Sequence, residues 1–417
     1  MSKTLDEYLF QNVNLKEHIV ATYRVRAKDN DFLDAARKIA IGQSIGNPDI
    51  RTERDSPELL RENLAKITGV VKLNDNEAVV NIAYPLVNFN IEEDGITQLL
   101  CTLMGGQMDI DAIRGCRLSG IKFPEEYLKH FKGPKFGMKN IRERAGAINR
   151  PLLGGIVKPK TGINVAQLEE LVGELLEGGV DFIKEDEILG DPKYCKFKER
   201  VPRVLELVAK YEEKEGREIF YAPCINGDNY LERAEFAAKN GAKMVHLNVW
   251  AGLPAYKRLR DLDMENTGIF FQKSGDKVFT EKEHRFGIDW KVMCDLARMM
   301  GADMIHAGMW GGYLSDTKEE LGRVMEALRG GDRYNQTVPS LSCGSHPGLV
   351  DTTVKNFGVE LMMNAGGAIQ GHPMGTKAGA IAMRQAFECN RRGADIYEFM
   401  KDKKELKAAI EKWGYSS

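Results

Sequence analysis

From Pro151 onward the chain alternates between two patterns. Short apolar runs recur: LLGGIV, VDFIK, EIFYAPC, KMVHLN, GIFF, DMIH, TVPSLS and VELMM. Between them lie stretches such as NVAQLEELVGELLEGG, RFGIDWKVMCDLARMMG and TKEELGRVMEALRGG. Their apolar residues fall at i, i+3 and i+4, and they frequently end in glycine, as amphipathic helices do. Eight strand candidates, most followed by a helix, predict a (β/α)8 barrel. An open doubly wound sheet is the rival, but eight units in about 250 residues match the barrel better.

The first third reads differently. HIVATYRVRA, from His18, alternates and is rich in β-branched residues, as a half-buried strand should be. DFLDAARKIAIGQ follows with an N-capping aspartate and helical spacing. EAVVNIAYPLVNF predicts a strand, Gly95–Met104 a helix, and CRLSGIKF a further strand. The order suggests a compact α+β unit with an antiparallel sheet of ferredoxin-like type. FKGPKFGMKNIRERAGAINRP then reads as a covering linker. The expectation is an α/β protein with a (β/α)8 TIM barrel over 141–417, preceded by a smaller α+β domain over 1–140.

Composition narrows the partners. A formal net charge of −2 gives no electrostatic reason to expect nucleic acid or an anionic membrane. No apolar run approaches bilayer length, and MSKTLDEYLFQNVNLKEH lacks the features of a secretory signal. Seven scattered cysteines, with no CxxC pair, suit reduced thiols in a cytoplasmic protein. A small anionic substrate remains compatible with all of this.

In a barrel, active sites sit at the C-terminal ends of the strands, so polar residues that end apolar runs come first. GGIVKPKTG places Lys158 and Lys160 at the end of the first barrel strand, two positions apart and so on one side. Paired cations there suit one of them to proton transfer; the plainer alternative is a solvated basic turn. VDFIKEDE ends the second strand with Lys184, Glu185, Asp186 and Glu187. Carboxylates are the hard oxygen ligands that Mg²⁺ prefers. A free Lys184 ammonium would repel the metal, whereas addition of CO2 to the neutral amine would give a carbamate and a further oxygen ligand. On composition alone, a charged strand end with local ion pairs accounts for this stretch better. His306 ends the sixth strand, ahead of a glycine-rich loop able to move or to approach a ligand. PSLSCGSHPG and MMNAGGAIQGHPMG end the seventh and eighth strands, where TIM barrels commonly bind phosphate. Ser342, Gly344, Gly366 and Gly367 offer a hydroxyl and backbone N–H groups for an anion.

Together these motifs resemble the large subunit of RuBisCO. GGIVKPKTG resembles that family's GTxxKPKxG motif, and GGVDFIKEDE its GGxDFxKxDE motif. The resemblance implies a carbamylated Lys184, with Asp186 and Glu187 as the other Mg²⁺ ligands. It also implies catalytic roles for Lys158, Lys160, Lys184 and His306, and a substrate and phosphate site at Lys273, His306, Ser342, Gly344, Gly366 and Gly367. GHPMG follows where the family has GHPxG. The resemblance runs over essentially the whole chain and implies a homodimer, or an assembly of dimers, whose N-terminal domain completes the partner's site.

The departures carry the functional expectation. Carboxylases have a lysine within GKL in the loop after strand six; here the stretch is Gly312-Tyr313-Leu314. Their strand-five His–Arg pair aligns with Gln272 and Lys273, an N-terminal glutamate with Gln43, and an asparagine with Gly106-Gln107. Lys273 keeps a charge without bidentate geometry. This pattern is similar to the form IV RuBisCO-like proteins, which do not fix carbon. It implies an Mg²⁺-dependent lyase or isomerase working through an enediolate on a phosphorylated ketose or 3-oxo sugar acid, by enolisation, isomerisation or decarboxylation. The alternatives are the diketo-methylthiopentyl phosphate enolase of methionine salvage, a true ribulose bisphosphate carboxylase, and a non-catalytic sugar-phosphate sensor.

Overall fold

The computed structural model describes residues 4–262, 264–313, 316–331 and 333–416. The chain divides into two compact units, Met1–Phe131 with Gly275–Leu296, and Lys132–Ser274 with Ala297–Ser417.

In the first unit, strands β1 (His18–Ala27), β2 (Lys66–Asn74), β3 (Glu77–Pro85) and β4 (Ile113–Lys122) form an antiparallel sheet in the order β4-β1-β3-β2. The alternation seen in the sequence buries Ile19, Ala21, Tyr23 and Val25 on one face of β1. There the Tyr23 hydroxyl donates to the Leu103 carbonyl at 2.9 Å. The expected helix is Phe32–Gly42, and its N-cap Asp31 accepts from the Asp34 N–H. A second helix, Ile91–Leu103, begins four residues before the expected start at Gly95 and accommodates that glycine at φ +55°. Strand β2 was not singled out in the sequence. It is the sheet's edge, most of its side chains are exposed, and so it leaves little apolar alternation.

The second unit is the predicted barrel. Its strands are β5 (Leu152–Ile156), β6 (Phe182–Lys184), β7 (Phe220–Ala222), β8 (Met244–Asn248), β9 (Gly268–Gln272), β11 (Met304–Gly308), β12 (Val338–Leu341) and β13 (Met362–Ala365). All are parallel, and a bridge between Cys224 and His246 closes the ring between β7 and β8. Capping boxes at Asn164 and Thr317 start the helices Val165–Glu177 and Lys318–Arg329. The remaining strand, β10 (Phe286–Ile288), belongs to the other unit, where it pairs parallel to β4. Thus RFGIDWKVMCDLARMMG is not helical throughout; its first residues are that strand, and the helix starts at Trp290.

Each of the eight barrel strands sends a fully buried residue into a shared apolar cluster, namely Leu152, Phe182, Phe220, Met244, Phe270, Met304, Val338 and Met362, and β7 adds Ala222. Burial of each such side chain contributes about 1.5–3 kcal/mol. The expected linker proves to contain a helix, Gly137–Arg144, which packs Met138 and Ile141 into the same cluster. Side chains on a strand repeat every second residue, so positions two further along face inward again, nearer the C-terminal ends. They are Gly154, Lys184, Ala222, His246, Gln272, His306, Ser340 and Asn364. Apolar packing therefore gives way to polar chemistry within one repeat of the strands.

Candidate active site

Beyond that polar layer lies a cavity of about 500 Å³. Lys158, Lys160, Lys184, Asp186, Glu187 and His306 all line it. So do Ser342, Gly344, Gly366 and Gly367. Of the residues expected from the sequence, only Lys273 is not on its surface; it is buried beside it, at 7% exposure.

The acidic strand end splits by direction. The Lys184 side chain is almost fully buried, and its Nζ donates to Glu187 Oε2 at 2.9 Å and to the Glu185 carbonyl at 2.9 Å. Lys158 Nζ pairs with Asp186 Oδ2 at 2.6 Å. Burial pushes the Glu187 carboxyl up, but the Lys184 ammonium and the Ser274 hydroxyl, 2.6 Å from Oε1, outweigh it and hold Glu187 well below the usual carboxylate range. Glu185 turns the other way. Completely buried, it takes Arg200 Nε at 2.7 Å and Nη2 at 2.9 Å, the Cys224 N–H at 2.8 Å and the Tyr221 hydroxyl. Of the three carboxylates that follow Lys184, Asp186 and Glu187 face the cavity, and Glu185 anchors the strand end from behind.

On the opposite side, burial, reinforced by the charges of Lys273 and Lys184, pulls the His306 imidazole down to about 3. It is therefore neutral across the physiological range and able to accept as well as donate. Cys343 Sγ stands 3.9 Å from His306 Nε2. The loops after β11 and β12 touch backbone to backbone. A Cβ on Gly344 would stand 2.7 Å from both Gly312 Cα and the Tyr313 nitrogen, and one on Gly312 would stand 2.4 Å from the Cys343 carbonyl. Tyr313 also lines the cavity and is 87% exposed, so no cation occupies its position; Leu314 lies outside the described residues. A Cβ on Gly366 would stand 3.4 Å from Lys158 Cε, so this glycine leaves room where Lys158 passes.

Several cavity residues were not singled out in the sequence, notably Ser274, His346, Asn364 and Trp413. Ser274 was legible in principle, since it lies two positions beyond Gln272, whose Nε2 donates to it at 2.6 Å. In the other unit, Gln43 and Gln107 lie together: the Gln107 N–H donates to Gln43 Oε1 at 3.0 Å, while Gln43 Nε2 donates to the Thr102 carbonyl at 2.6 Å.

The donor set can be tested against a divalent cation. Among the described residues no group of three or more His, Cys, Asp and Glu side chains is arranged to hold a metal. Asp186, paired with Lys158, and Glu187, paired with buried Lys184, line the same cavity, and they could share a cation with Lys184 only if its nitrogen stopped being an ammonium. Addition of CO2 to the neutral amine, with loss of a proton, would put an anionic carbamate in place of the ammonium and supply the missing oxygen ligand. The residues thus fit Mg²⁺ on that condition.

Family models for the ribulose bisphosphate carboxylase large chain match residues 137–413, as its catalytic domain, and 8–127, as its N-terminal domain. The chain belongs to the RuBisCO large-chain family. A ribulose bisphosphate carboxylase of Pyrococcus furiosus is 34% identical over 96% of this chain and 95% of its own length. A 2,3-diketo-5-methylthiopentyl-1-phosphate enolase of Geobacillus thermodenitrificans is 30% identical over 95% of this chain and 98% of its own. The octameric RuBisCO of Pyrococcus horikoshii superposes with a TM-score of 0.91 at 30% identity, covering 100% of this chain and 98% of that one. This member of the RuBisCO family is therefore similar both to carboxylases and to an enolase. No helix among its described residues is long and apolar enough to cross a membrane.

Proposed function

We propose that this chain is a Mg²⁺-dependent, non-carboxylating RuBisCO-like enzyme of the form IV kind. Its substrate would be a phosphorylated ketose or 3-oxo sugar acid that it enolises, isomerises or decarboxylates through an enediolate. The observation that carries the reading is the convergence of Lys158, Lys184, Asp186 and Glu187 in one cavity whose loop after β11 presents Tyr313 in place of a cation.

Carbamylated Lys184, Asp186 and Glu187 would hold the Mg²⁺. When bound, the ion acts as a Lewis acid that makes a carbonyl substrate easier to deprotonate. The carbamate of Lys184, or Lys158, whose Nζ lies 2.6 Å from Asp186 Oδ2, would take or return the substrate proton, and Lys160 at the exposed rim would add positive charge for an incoming anion. Neutral His306 would orient a substrate oxygen by hydrogen bonding, with Lys273 behind it. Ser342, Gly344, Gly366 and Gly367 would receive a phosphate. The absence of a cation at Tyr313 weighs against productive CO2 fixation. The octameric relative supports a homodimer or an assembly of dimers. The seven free cysteines suit a cytoplasmic protein.

A second reading, enolisation of a diketo-methylthiopentyl phosphate, is favoured by full-length similarity to the Geobacillus enolase. One experiment separates these readings. The purified protein is incubated with Mg²⁺ and bicarbonate in D2O, and phosphorylated ketoses, 3-oxo sugar acids and the diketo phosphate are followed by NMR. Deuterium uptake or CO2 release with the sugar compounds supports the first reading. Turnover of the diketo phosphate alone supports the second. Steady carboxylation of ribulose bisphosphate overturns both, and Mg²⁺-independent binding without turnover favours a sensor.

A further inference from the structure

Glu187 is held at both of its oxygens. Oε2 faces Lys184 Nζ at 2.9 Å, and Oε1 takes the Ser274 hydroxyl at 2.6 Å. Ser274 Oγ in turn receives Gln272 Nε2 at 2.6 Å. Each bond in this line has one possible direction. An ionised carboxylate only accepts, so the single proton of the Ser274 hydroxyl goes to Glu187, and its oxygen is left to accept from the Gln272 amide. Gln272 is buried at the end of β9, where the carboxylase pattern has a histidine, so the line belongs to this chain's departures from that pattern.

The backbones that carry the line are tied as well. Asn226, in the loop after β7, donates from Nδ2 to the Glu187 carbonyl at 2.7 Å, and its Oδ1 accepts from the Asn248 N–H at 2.9 Å. Asn248, the last residue of β8, donates from Nδ2 to the Ser274 carbonyl at 2.9 Å. Two side-chain amides thus join the segments that carry Glu187 and Ser274 and fix the distance between them. To turn both oxygens toward one point, Glu187 must give up the Ser274 bond, which is charge-assisted and so of the stronger kind. That matters for the choice of cation. Mg²⁺ is small and demands near-ideal octahedral geometry, whereas Ca²⁺ gathers more oxygens in a looser shell and readily takes both oxygens of one carboxylate.

We infer that Ser274, oriented by Gln272, is a positioning residue that leaves Glu187 a single oxygen for a cation, and that this restriction makes the site prefer Mg²⁺ to Ca²⁺. The inference rests on the proposed Mg²⁺ site at Lys184, Asp186 and Glu187, and it deepens that reading by naming what selects the ion. Neither Ser274 nor Gln272 need touch the metal or the substrate in this account; both act through Glu187.

The test is metal binding rather than turnover. Full-length protein in bicarbonate is titrated with Mn²⁺, followed by the loss of the free ion's electron paramagnetic resonance signal, and the bound Mn²⁺ is displaced with Mg²⁺ or with Ca²⁺. Binding that disappears in Lys184→Ala marks the site, and the readout is the ratio of the two competing affinities. Wild type should favour Mg²⁺ by roughly tenfold or more. Ser274→Ala should narrow that ratio about tenfold, the effect of losing one charge-assisted hydrogen bond, whereas Ser274→Thr, which keeps the hydroxyl, should stay within about threefold of wild type. Gln272→Leu should shift the ratio in the same direction as Ser274→Ala, because the hydroxyl loses the donor that orients it. A residue that only supported the fold would weaken both ions alike and leave the ratio unchanged. Melting curves show whether each variant is folded, and Ser274→Cys, whose thiol is a weak donor, replaces Ser274→Ala if that variant is not. An unchanged ratio in folded Ser274→Ala or Gln272→Leu, or a wild type that takes Ca²⁺ as readily as Mg²⁺, overturns the inference and leaves the metal site standing. No Mn²⁺ binding by wild type in bicarbonate overturns both the inference and the metal site on which it rests.

Discussion

Removing the carboxylate of Glu185 should destabilise the barrel more than removing either of its acidic neighbours. Glu185 and Arg200 are both fully buried and joined by two hydrogen bonds of 2.7 and 2.9 Å. In Glu185→Gln, Arg200 keeps its hydrogen bonds to the carbonyls of Cys195 and Gly190, at 2.7 and 2.6 Å, but its charge has no counterion. The Tyr221 hydroxyl and the Cys224 N–H also lose a charged acceptor. Breaking a buried pair from one side costs about 3–5 kcal/mol, close to the roughly 4 kcal/mol that Coulomb's law gives at 4 Å with an effective dielectric of 20. For a domain of this size, 3 kcal/mol is about 6–12 °C in melting temperature. The assay is thermal unfolding followed by tryptophan fluorescence, with resistance to thermolysin as a second probe, since two units need not unfold in one step. The double variant Glu185→Leu with Arg200→Met should recover most of the loss, because no charge is left buried. A melting temperature for Glu185→Gln within 2 °C of wild type would refute the reasoning, and a double variant less stable than the single one would show that shape rather than charge holds this corner.

Lys184→Ala should abolish Mg²⁺-dependent turnover while leaving inorganic phosphate binding intact; unchanged turnover would falsify the carbamate. Tyr313→Lys alone should not create a carboxylase, since Gln272, Gln43 and Gln107 also differ from the carboxylase pattern, and radiolabelled CO2 incorporation is the measurement. Gly344→Ala, whose Cβ would lie 2.7 Å from Gly312 Cα at a φ of +118°, should push apart the loops after β11 and β12, weaken phosphate binding and speed proteolysis there. His306 titrates at about 3 in the folded protein and near 6.5 unfolded, so the unfolded chain binds more protons between those values and stability falls as pH drops below about 6.5. This amounts to about 2 kcal/mol by pH 5, and His306→Gln should flatten the acid limb of a stability–pH curve by that much.

The barrel was legible because its strands are short, mostly apolar runs spaced between helical patterns, several with a polar residue at or near the end. The same period-two logic that places Phe182 in the core places Lys184 above it. It fails for elements that lack an apolar signature of their own. Strand β2 exposes most of its side chains, and β10 is a three-residue strand directly ahead of an amphipathic helix. The site was legible as a set of strand ends, but not in its directions. VDFIKEDE offers three carboxylates after Lys184, and nothing in the string shows that the first of them, Glu185, belongs to Arg200, fifteen residues on in the next helix. His346 and Trp413 were hidden for a related reason: Trp413 reaches the cavity only because a helix beyond the last strand folds back over the loops.

Strand β10 has a consequence for how the chain is made. Phe286–Ile288 pairs with Cys116–Leu118, partners separated by about 170 residues of intervening chain. Arg117 is further tied to Asp289, at 3.3 Å, and to the Thr280 and Glu281 carbonyls. A ribosome adding about 5–20 residues per second leaves β4 waiting roughly 10–30 s for its neighbour. During that interval the outer side of β4 is an unpaired strand edge, the kind of surface on which nascent chains join one another. The N-terminal sheet, first to leave the ribosome, is thus completed only after five of the eight barrel strands have been made.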